Sequence, residues 1–599
     1  MRFGAEEISV RKAMIEGVTG ISFPDPIAVE AGTGLKVDWE AGEARISAED
    51  TPALCRGIFQ LCKAHREGMK ELHLREERHF ATCGAMVDMS RNQVMTVPAV
   101  KAWMDRTAAL GLNMMMLYTE DTYEIPGYPY FGYLRGRYTR ADLREMDDYA
   151  AELGIELIPC IQTLGHLAQM LQWPAFADIR DQPDILLIDQ EETYTFLEAS
   201  LRTVSESFRS RRILIGMDEA HGVGLGNYLT RYGYTDRFEL MNRHLKRVCE
   251  ICGKLGMKPI MWSDMFFRLG SRTNDYYDPD SHVPDRVIEK LPQVEMAYWD
   301  YYHDSEAFYE SMLREHERMG RGTLYAGGVW TWSGFLPNRA LTRETMVPAL
   351  RVNARRRTDT VIATFWGDDG AETCYPLGID GLTLFSEACW QGEAFDLAEC
   401  EKMAECLTGV PAEVYRAYEA FYADGCRERT GKAMIWCDPL YPCGISRERK
   451  AILRQAAVEA LEILERGGDT LANRYTETLY KVLVGKIDLT KTLRDAYLSG
   501  DRETLARLTD QDIPALRQRY RELMEAHRNL WESTSRRQGW ETLLLRYGGA
   551  MERLTDVQRE VNRYLSGELD TIAELEEKEL PQGKGYRYAQ VSTPSANLW

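Results

Sequence analysis

Apolar and polar positions change their period twice along this chain. In residues 1–78 they alternate in short pieces, IAVEA, LKVDW and EARISAE, the period of half-buried strands, and an amphipathic stretch runs from Thr51 through LCRGIFQLCKAHREG. Strands followed by a helix predict a small α+β domain. From Ala81 to Trp390 compact apolar runs take over: ATCGAMVD, LNMMMLY, IELIPCIQ, ILIGM, KPIMW, VEMAY, TLYAGGV and VIATF. Amphipathic segments such as VKAWMDRTAALG and TRADLREMDDYAAELG separate them. This strand–helix alternation predicts an α/β fold, a (β/α)8 TIM barrel over residues 79–392. Beyond it, RERKAILRQAAVEALEILERGG, DTLANRYTETLYKVLVGKIDLTKTLRDAYL and RETLARLTDQDIPALRQRYRELMEAHRNLWES predict an all-α domain over 393–599, punctuated by Gly467, Gly468 and Gly500. The final PQGKGYRYAQVSTPSANLW reads as an extended tail on the surface.

The barrel gives meaning to RRILIGMDEAHGVGLGNY, residues 211–228. Asp218 and Glu219 follow the fourth strand, and residues at the C-terminal ends of barrel strands face substrate. Adjacent acids also arise by chance among 93 Asp and Glu residues; it is position that makes this pair candidate chemistry, one carboxyl handling a proton and its neighbour charge or orientation. Other strand ends are as unusual. They run into TEDTYE, QTLGH, WSD, WDYY, WTWSG and WGDDGAE, so that Trp262, Trp299, Trp330, Trp332 and Trp366 gather at one rim among carboxylates. Indoles stack on the apolar faces of sugars and carboxylates accept from hydroxyls, so this rim reads as a sugar pocket.

Net charge −20 argues against broad electrostatic binding of nucleic acid or anionic membrane. The first residues lack an apolar signal core, no apolar run reaches membrane-spanning length, and 13 scattered cysteines fit reduced thiols, so a cytoplasmic protein is expected. Neither metal nor cofactor is expected. Cys249 and Cys252 lie within a helix without a second metal-spaced pair, and GVGLG lacks full dinucleotide-loop spacing.

The motifs LYTEDTYEIPGYPYFGYLRGRYT, PCIQTLGHL and GMDEAHGVGLG together resemble glycoside hydrolase family 20, the exo-acting β-N-acetylhexosaminidases, and within it the short intracellular branch. The likeness covers residues 80–390. It implies hydrolysis of terminal β-linked GlcNAc and GalNAc with retention, by attack of the substrate's own acetamide and an oxazolinium-like intermediate. It casts Glu219 as general acid/base and Asp218 as the group that orients the acetamide. His166 would steady Glu219 together with Glu120 or Asp121. Trp262, Trp299 and Trp366, with Trp330 and Trp332 on the same rim, would wall the pocket. Tyr301 or Tyr302 would donate to the acetamide oxygen, and Asp368, beside Asp369, would accept from sugar hydroxyls. A water-poor pocket beside a second carboxylate is expected to raise the Glu219 pKa and keep it protonated. Arg91 has a structural role in the resemblance. Cys83 and Leu214 replace an Arg and a His of many relatives, which predicts weak discrimination between GlcNAc and GalNAc.

Two rivals stand beside this reading: a double-displacement glycosidase with Asp218 as nucleophile, and a catalytically silent sugar-binding protein. The expected partner is a small oligosaccharide or glycoconjugate ending in β-GlcNAc or β-GalNAc. The helical domain either covers the barrel flank or pairs with a second subunit in a homodimer, and its pattern decides neither.

Overall fold

The structure, a computed structural model, describes residues 3–280, 282–441, 444–578 and 587–593. Eight parallel strands close a barrel: β1 (Thr82–Asp88), β2 (Met114–Thr119), β3 (Glu156–Ile161), β4 (Arg212–Leu214), β5 (Lys258–Trp262), β6 (Glu295–Trp299), β7 (Thr323–Gly328) and β8 (Thr360–Phe365). Each pairs with its sequence neighbours, and β8 returns to β1 through Ile362 opposite Gly84. The apolar runs that predict these strands are buried on both faces, as an eight-stranded parallel barrel sheathed in helices requires. The fourth strand is only three residues long. After Leu214 the chain leaves the ladder, and the candidate acids sit on the irregular segment that follows.

Helices Val97–Ala109, Arg140–Glu152, Glu191–Ser207, Arg237–Lys254, Glu306–Arg318, Arg339–Arg356 and Ile379–Gln391 wrap the barrel. Their starts carry local signals: Thr96 and Asp236 accept from first-turn amides, and Thr139 forms a reciprocal capping box with Asp142. Between β5 and β6 only the short helices Asp264–Gly270 and Asp285–Ile288 form, which leaves a long loop over the barrel mouth. Cys249 and Cys252 lie on Arg237–Lys254, and among the described residues no three His, Cys, Asp or Glu side chains are placed to hold a metal ion.

Ahead of the barrel, strands Ile27–Ala31, Leu35–Glu40, Glu43–Ala48 and Leu72–Glu76 form one sheet, with Glu43–Ala48 and Leu35–Glu40 in its middle. Helix Thr51–Arg66 is buried along nearly its whole length between this sheet and the barrel. Its Arg56 holds Glu76 at 2.7 Å and Glu387 of the barrel wall at 2.8 Å. The sequence reading misses the first helix, Ala5–Thr19, whose apolar positions show no helical period, and the strand Leu72–Glu76.

Helices Arg447–Leu464, Leu471–Ser499, Ile513–Glu532 and Trp540–Ser566 build the C-terminal region around its own core. The third predicted run breaks at Leu508–Asp512 into a wider turn, because Pro514 in the first turn of the next helix has no amide hydrogen to continue the ladder. Of the expected tail, only Arg587–Thr593 lies within the described residues. It includes the short helix Tyr588–Val591, and Val591 is buried. No helix among the described residues is long and apolar enough to cross a membrane.

Candidate active site

At the C-terminal mouth of the barrel a cavity with about 430 Å³ of open space is lined by Arg91, His166, Asp218, Glu219, Trp262, Trp299, Tyr301, Tyr302, Trp332, Trp366 and Asp368. These residues come from the ends of seven strands, all but β2. Most of the predicted site residues therefore meet in one place.

The acid pair is built from strained backbone. Gly216, Met217 and Glu219 all have positive φ, at 72°, 72° and 50°, and His166 opposite them has φ 56°. Such conformations cost about 1–3 kcal/mol each in a residue with a side chain and persist where packing over-determines them. At Gly216 a Cβ would lie 2.0 Å from Gln162 Oε1, so only glycine lets that amide approach. Gln162 Nε2 then donates to Asp218 Oδ1 at 2.8 Å and also to the Tyr118 hydroxyl at 2.9 Å. The other Asp218 oxygen lies 3.1 Å from His166 Nε2, and the same nitrogen is 3.4 Å from Glu219 Oε2. The turn at Glu219 thus brings two successive carboxylates onto one imidazole.

Burial disfavours charge on His166, but Asp218 and Glu219 outweigh it and hold the ring well above its ordinary pKa of 6.5. Glu219 departs from expectation. Burial raises its pKa, as the sequence reading supposes, yet the His166 contact and a hydrogen bond from Tyr276 overcome burial and bring it down to about 2. The Tyr276 hydroxyl donates to Glu219 Oε1 at 2.6 Å and lies 2.9 Å from His221 Nε2. Both shifts favour an ionised Glu219 beside a charged His166, against the opposing charge of Arg91. Beneath the pair, fully buried Asp264 accepts the Glu219 amide at 3.0 Å, and burial together with the Asp218 charge pushes its own carboxyl well above the usual range.

The aromatic wall is continuous. Trp299 stacks on Tyr301 with ring centroids 5.3 Å apart, Trp332 meets Tyr301 edge-on at 5.2 Å, and Trp366 Nε1 donates to the Tyr301 hydroxyl at 3.0 Å. Trp262 closes the wall 6.3 Å from Trp366. At Gly328 a Cβ would come within 2.6 Å of Trp332 and 2.8 Å of Tyr301, so the bare backbone there makes room for both rings. The two candidate tyrosines differ: Tyr301 is buried in the wall, whereas Tyr302 is 47% exposed at the rim. Trp330 is outside the cavity lining; it stacks behind Trp332 at 4.4 Å and braces it.

Three expected positions turn elsewhere. Glu120 does not line the cavity; its carboxylate accepts from Arg91 at 3.2 Å and from Tyr118 at 3.0 Å, and burial pushes its pKa to about 7 against the pull of Arg91. Asp121 points to Arg135, 3.3 Å away. Asp369 faces the helical region, where Lys432 reaches it at 2.7 Å and Arg546 at 3.3 Å. Arg91, by contrast, reaches the cavity. Its guanidinium packs over the rings of Tyr118 and Trp366, lies 3.4 Å from His166 Nδ1 and 3.7 Å from Asp368, and so links His166 to Glu120. Cys83 is buried at the start of β1, away from the lining residues.

Gln162, Asp264 and Tyr276 are site residues absent from the sequence expectation. The first two stand at strand ends, in IQTLGH and WSD, and share the signal that marks Asp218; Tyr276, in the polar loop NDYYDPD, carries none.

A parallel barrel with carboxylates, one histidine and an indole wall at its mouth has the make-up of a sugar-binding pocket. The profile of the "Glycosyl hydrolase family 20, catalytic domain" matches residues 80–283, and that of the "Glycoside Hydrolase 20C C-terminal domain" matches residues 426–591. The chain belongs to glycoside hydrolase family 20. Among curated proteins it is similar to Hexosaminidase D of Homo sapiens, 26% identical over 237 residues, 37% of this chain and 46% of that protein. Hexosaminidase D of Bos taurus is 24% identical over 239 residues, 38% of this chain and 63% of that protein. The chain thus spans about half to three fifths of the length of these relatives. Among solved structures, the N-acetyl-β-hexosaminidase of Streptomyces plicatus in complex with Thio-NAglucal shares the fold at TM-score 0.51 and 17% identity, covering 68% of this chain and 89% of that one. The Flavobacterium johnsoniae chitobiase does so at TM-score 0.51 and 15% identity, covering 88% and 93%.

Proposed function

We propose that the protein is an exo-acting, retaining β-N-acetylhexosaminidase that removes terminal β-linked GlcNAc, and GalNAc, by substrate-assisted catalysis. One observation carries this reading. Both oxygens of Asp218 already face protein nitrogens, Gln162 on one side and His166 on the other, and the residue is buried against the aromatic wall. A carboxylate held in this way accepts an acetamide N–H and balances positive charge developing on it; it is poorly placed to swing onto an anomeric carbon as a nucleophile. In this account the acetamide lies among Trp262, Trp299 and Trp366, and its oxygen takes a hydrogen bond from Tyr301, whose hydroxyl accepts from Trp366 and retains a proton to give. Tyr302 then belongs to the rim.

In this account Glu219 is the general acid, and because its pKa is held low beside His166 it must gain a proton first. The proton it delivers to the leaving oxygen is stored on His166. A sugar that fills the cavity strips water from the His166–Glu219 ion pair, favours the neutral pair, and transfers the proton across the short gap between them. The leaving oxygen takes that proton from Oε2, while Tyr276 holds Oε1 and steadies the carboxylate that is left. Asp368, 47% exposed beside Arg91, is free to accept from the sugar's outer hydroxyls. Hydrolysis of a chromogenic β-GlcNAc together with failure on the matching β-glucoside, which lacks the acetamide, tests the proposal; equal rates on both would overturn it.

A further inference from the structure

A third carboxyl lies beneath the acid pair. Asp264 opens the short helix after β5 and is completely buried. Other buried acids of this chain hold a cation: Glu76 and Glu387 hold Arg56, and Glu372 holds Lys432. Among the described residues no cation comes within ion-pair distance of Asp264. Its Oδ2 accepts the Glu219 amide at 3.0 Å, and its Oδ1 is buried without a hydrogen-bond partner. The charged groups that face it, Asp218 and Glu219, are of its own sign, whereas the Trp299 indole and the hydroxyls of Tyr276 and Tyr277 are neutral.

Neighbouring carboxyls out of water do not both ionise, and their surroundings decide which keeps the proton. Asp218 has Gln162 Nε2 at 2.8 Å on one oxygen and His166 Nε2 at 3.1 Å on the other, nitrogens that favour a carboxylate. Asp264 has one backbone amide and a bare oxygen. An unpaired buried hydroxyl is costly, but an unpaired buried carboxylate oxygen beside two like charges costs far more. We propose that Asp264 is a positioning residue that works as the neutral acid: it holds the Glu219 turn through its amide and, by carrying the proton, leaves Asp218 ionised to meet the acetamide. The role toward the acetamide rests on the glycosidase reading; the protonation state does not.

Native capillary electrophoresis of the full chain at neutral pH reads the protonation state without any substrate. Asp178, an exposed acid, is the control: Asp178→Asn is expected to remove one full negative charge, and Asp264→Asn none. Loss of a full charge in Asp264→Asn overturns the neutral acid. Asp264→Ser gives the same reading if Asp264→Asn does not fold. Kinetics on a chromogenic β-GlcNAc test the positioning role. Asp264→Ala, which removes the amide's acceptor, is expected to lower kcat/KM about tenfold or more, and Asp264→Asn, which keeps an acceptor, to recover most of that loss. The alkaline limb of the pH profile is expected at the same pH in Asp264→Asn as in wild type. A limb moved to lower pH, the mark of a negative charge removed near His166, or an Asn variant as impaired as Ala, overturns the proposal. A wild type inactive on β-GlcNAc overturns the glycosidase reading instead, since the charge count is independent of it.

Discussion

Two acid pairs end two strands of this barrel, and they are used in opposite ways. After β4, Asp218 and Glu219 converge on one histidine nitrogen at 3.1 and 3.4 Å. After β8, Asp368 and Asp369 diverge: the first opens to the cavity, while the second is clamped by Lys432 and Arg546 from the helical region. Successive side chains of an extended strand point to opposite sides, so divergence is the default and convergence has to be made. The left-handed turn at Glu219, held by Asp264 through its amide, makes it. One pair shares a histidine, and the other ties the rim of the cavity to the helical region.

The comparison is broken most severely at Glu219. Glu219→Gln is expected to lower kcat/KM by about 10²- to 10⁴-fold on substrates with poor leaving groups, the range of a lost general acid, and by far less where the leaving group departs unaided. Equal losses across leaving groups of very different acidity would remove Glu219 from that role. The second pair sharpens the contrast through stability. Lys432 is buried between Asp369 and Glu372, at 2.7 Å from each. Lys432→Met removes one of the two cations that hold Asp369 and Glu372, leaving both to Arg546, and is expected to cost about 1–3 kcal/mol in denaturant unfolding. Asp368→Asn is expected to change stability by no more than about 0.5 kcal/mol while raising KM. If Asp368→Asn destabilises the fold as much as Lys432→Met, the division of labour is wrong.

A pH profile separates the shared proton from an independent acid. With Glu219 at about 2 and His166 raised above 6.5, the unit carries one proton between those values. The kcat/KM is therefore expected to stay level through neutrality and to fall as pH rises through the elevated His166 value. In His166→Asn, Glu219 returns toward its ordinary 4.5 and must hold the proton itself, so the fall moves to lower pH. An unmoved alkaline limb would contradict proton storage on His166. The smallest effect concerns selectivity. Cys83 is remote from the cavity, and β-GlcNAc and β-GalNAc are expected to differ by only about 1–2 kcal/mol in kcat/KM, the separation a pocket achieves between near-isosteric ligands. A thousandfold preference would mean that Arg91 or Asp368 reads the 4-hydroxyl.

Much of this was legible in the chain. Each barrel strand announces itself as an apolar run, because burial on both faces leaves no other composition, and strand-end position marks Asp218, Glu219, His166 and the indoles. What stayed hidden depends on distant partners. The ionised state of Glu219 is set partly by Tyr276, 57 residues on, in a loop whose composition says nothing of where it folds. Asp369 reads as a twin of Asp368 until Lys432 arrives from another region of the chain. Helix Ala5–Thr19 has no apolar period because only Arg11 and Ile15 on it are buried, and Arg11 is anchored by the Glu152 carbonyl.

The central claim is that Asp218 serves the substrate's acetamide and is not itself the nucleophile. The inhibition constant of a thiazoline that mimics the cyclised intermediate, measured on wild type and on Asp218→Ala, tests it most directly. The account expects wild type to bind the thiazoline at least about 10²-fold more tightly than substrate, as intermediate-like ligands are bound. It expects Asp218→Ala to lose most of that margin, several kcal/mol, the scale of one preorganised electrostatic group. A thiazoline bound no better than substrate by wild type, or bound equally by wild type and Asp218→Ala, would contradict it.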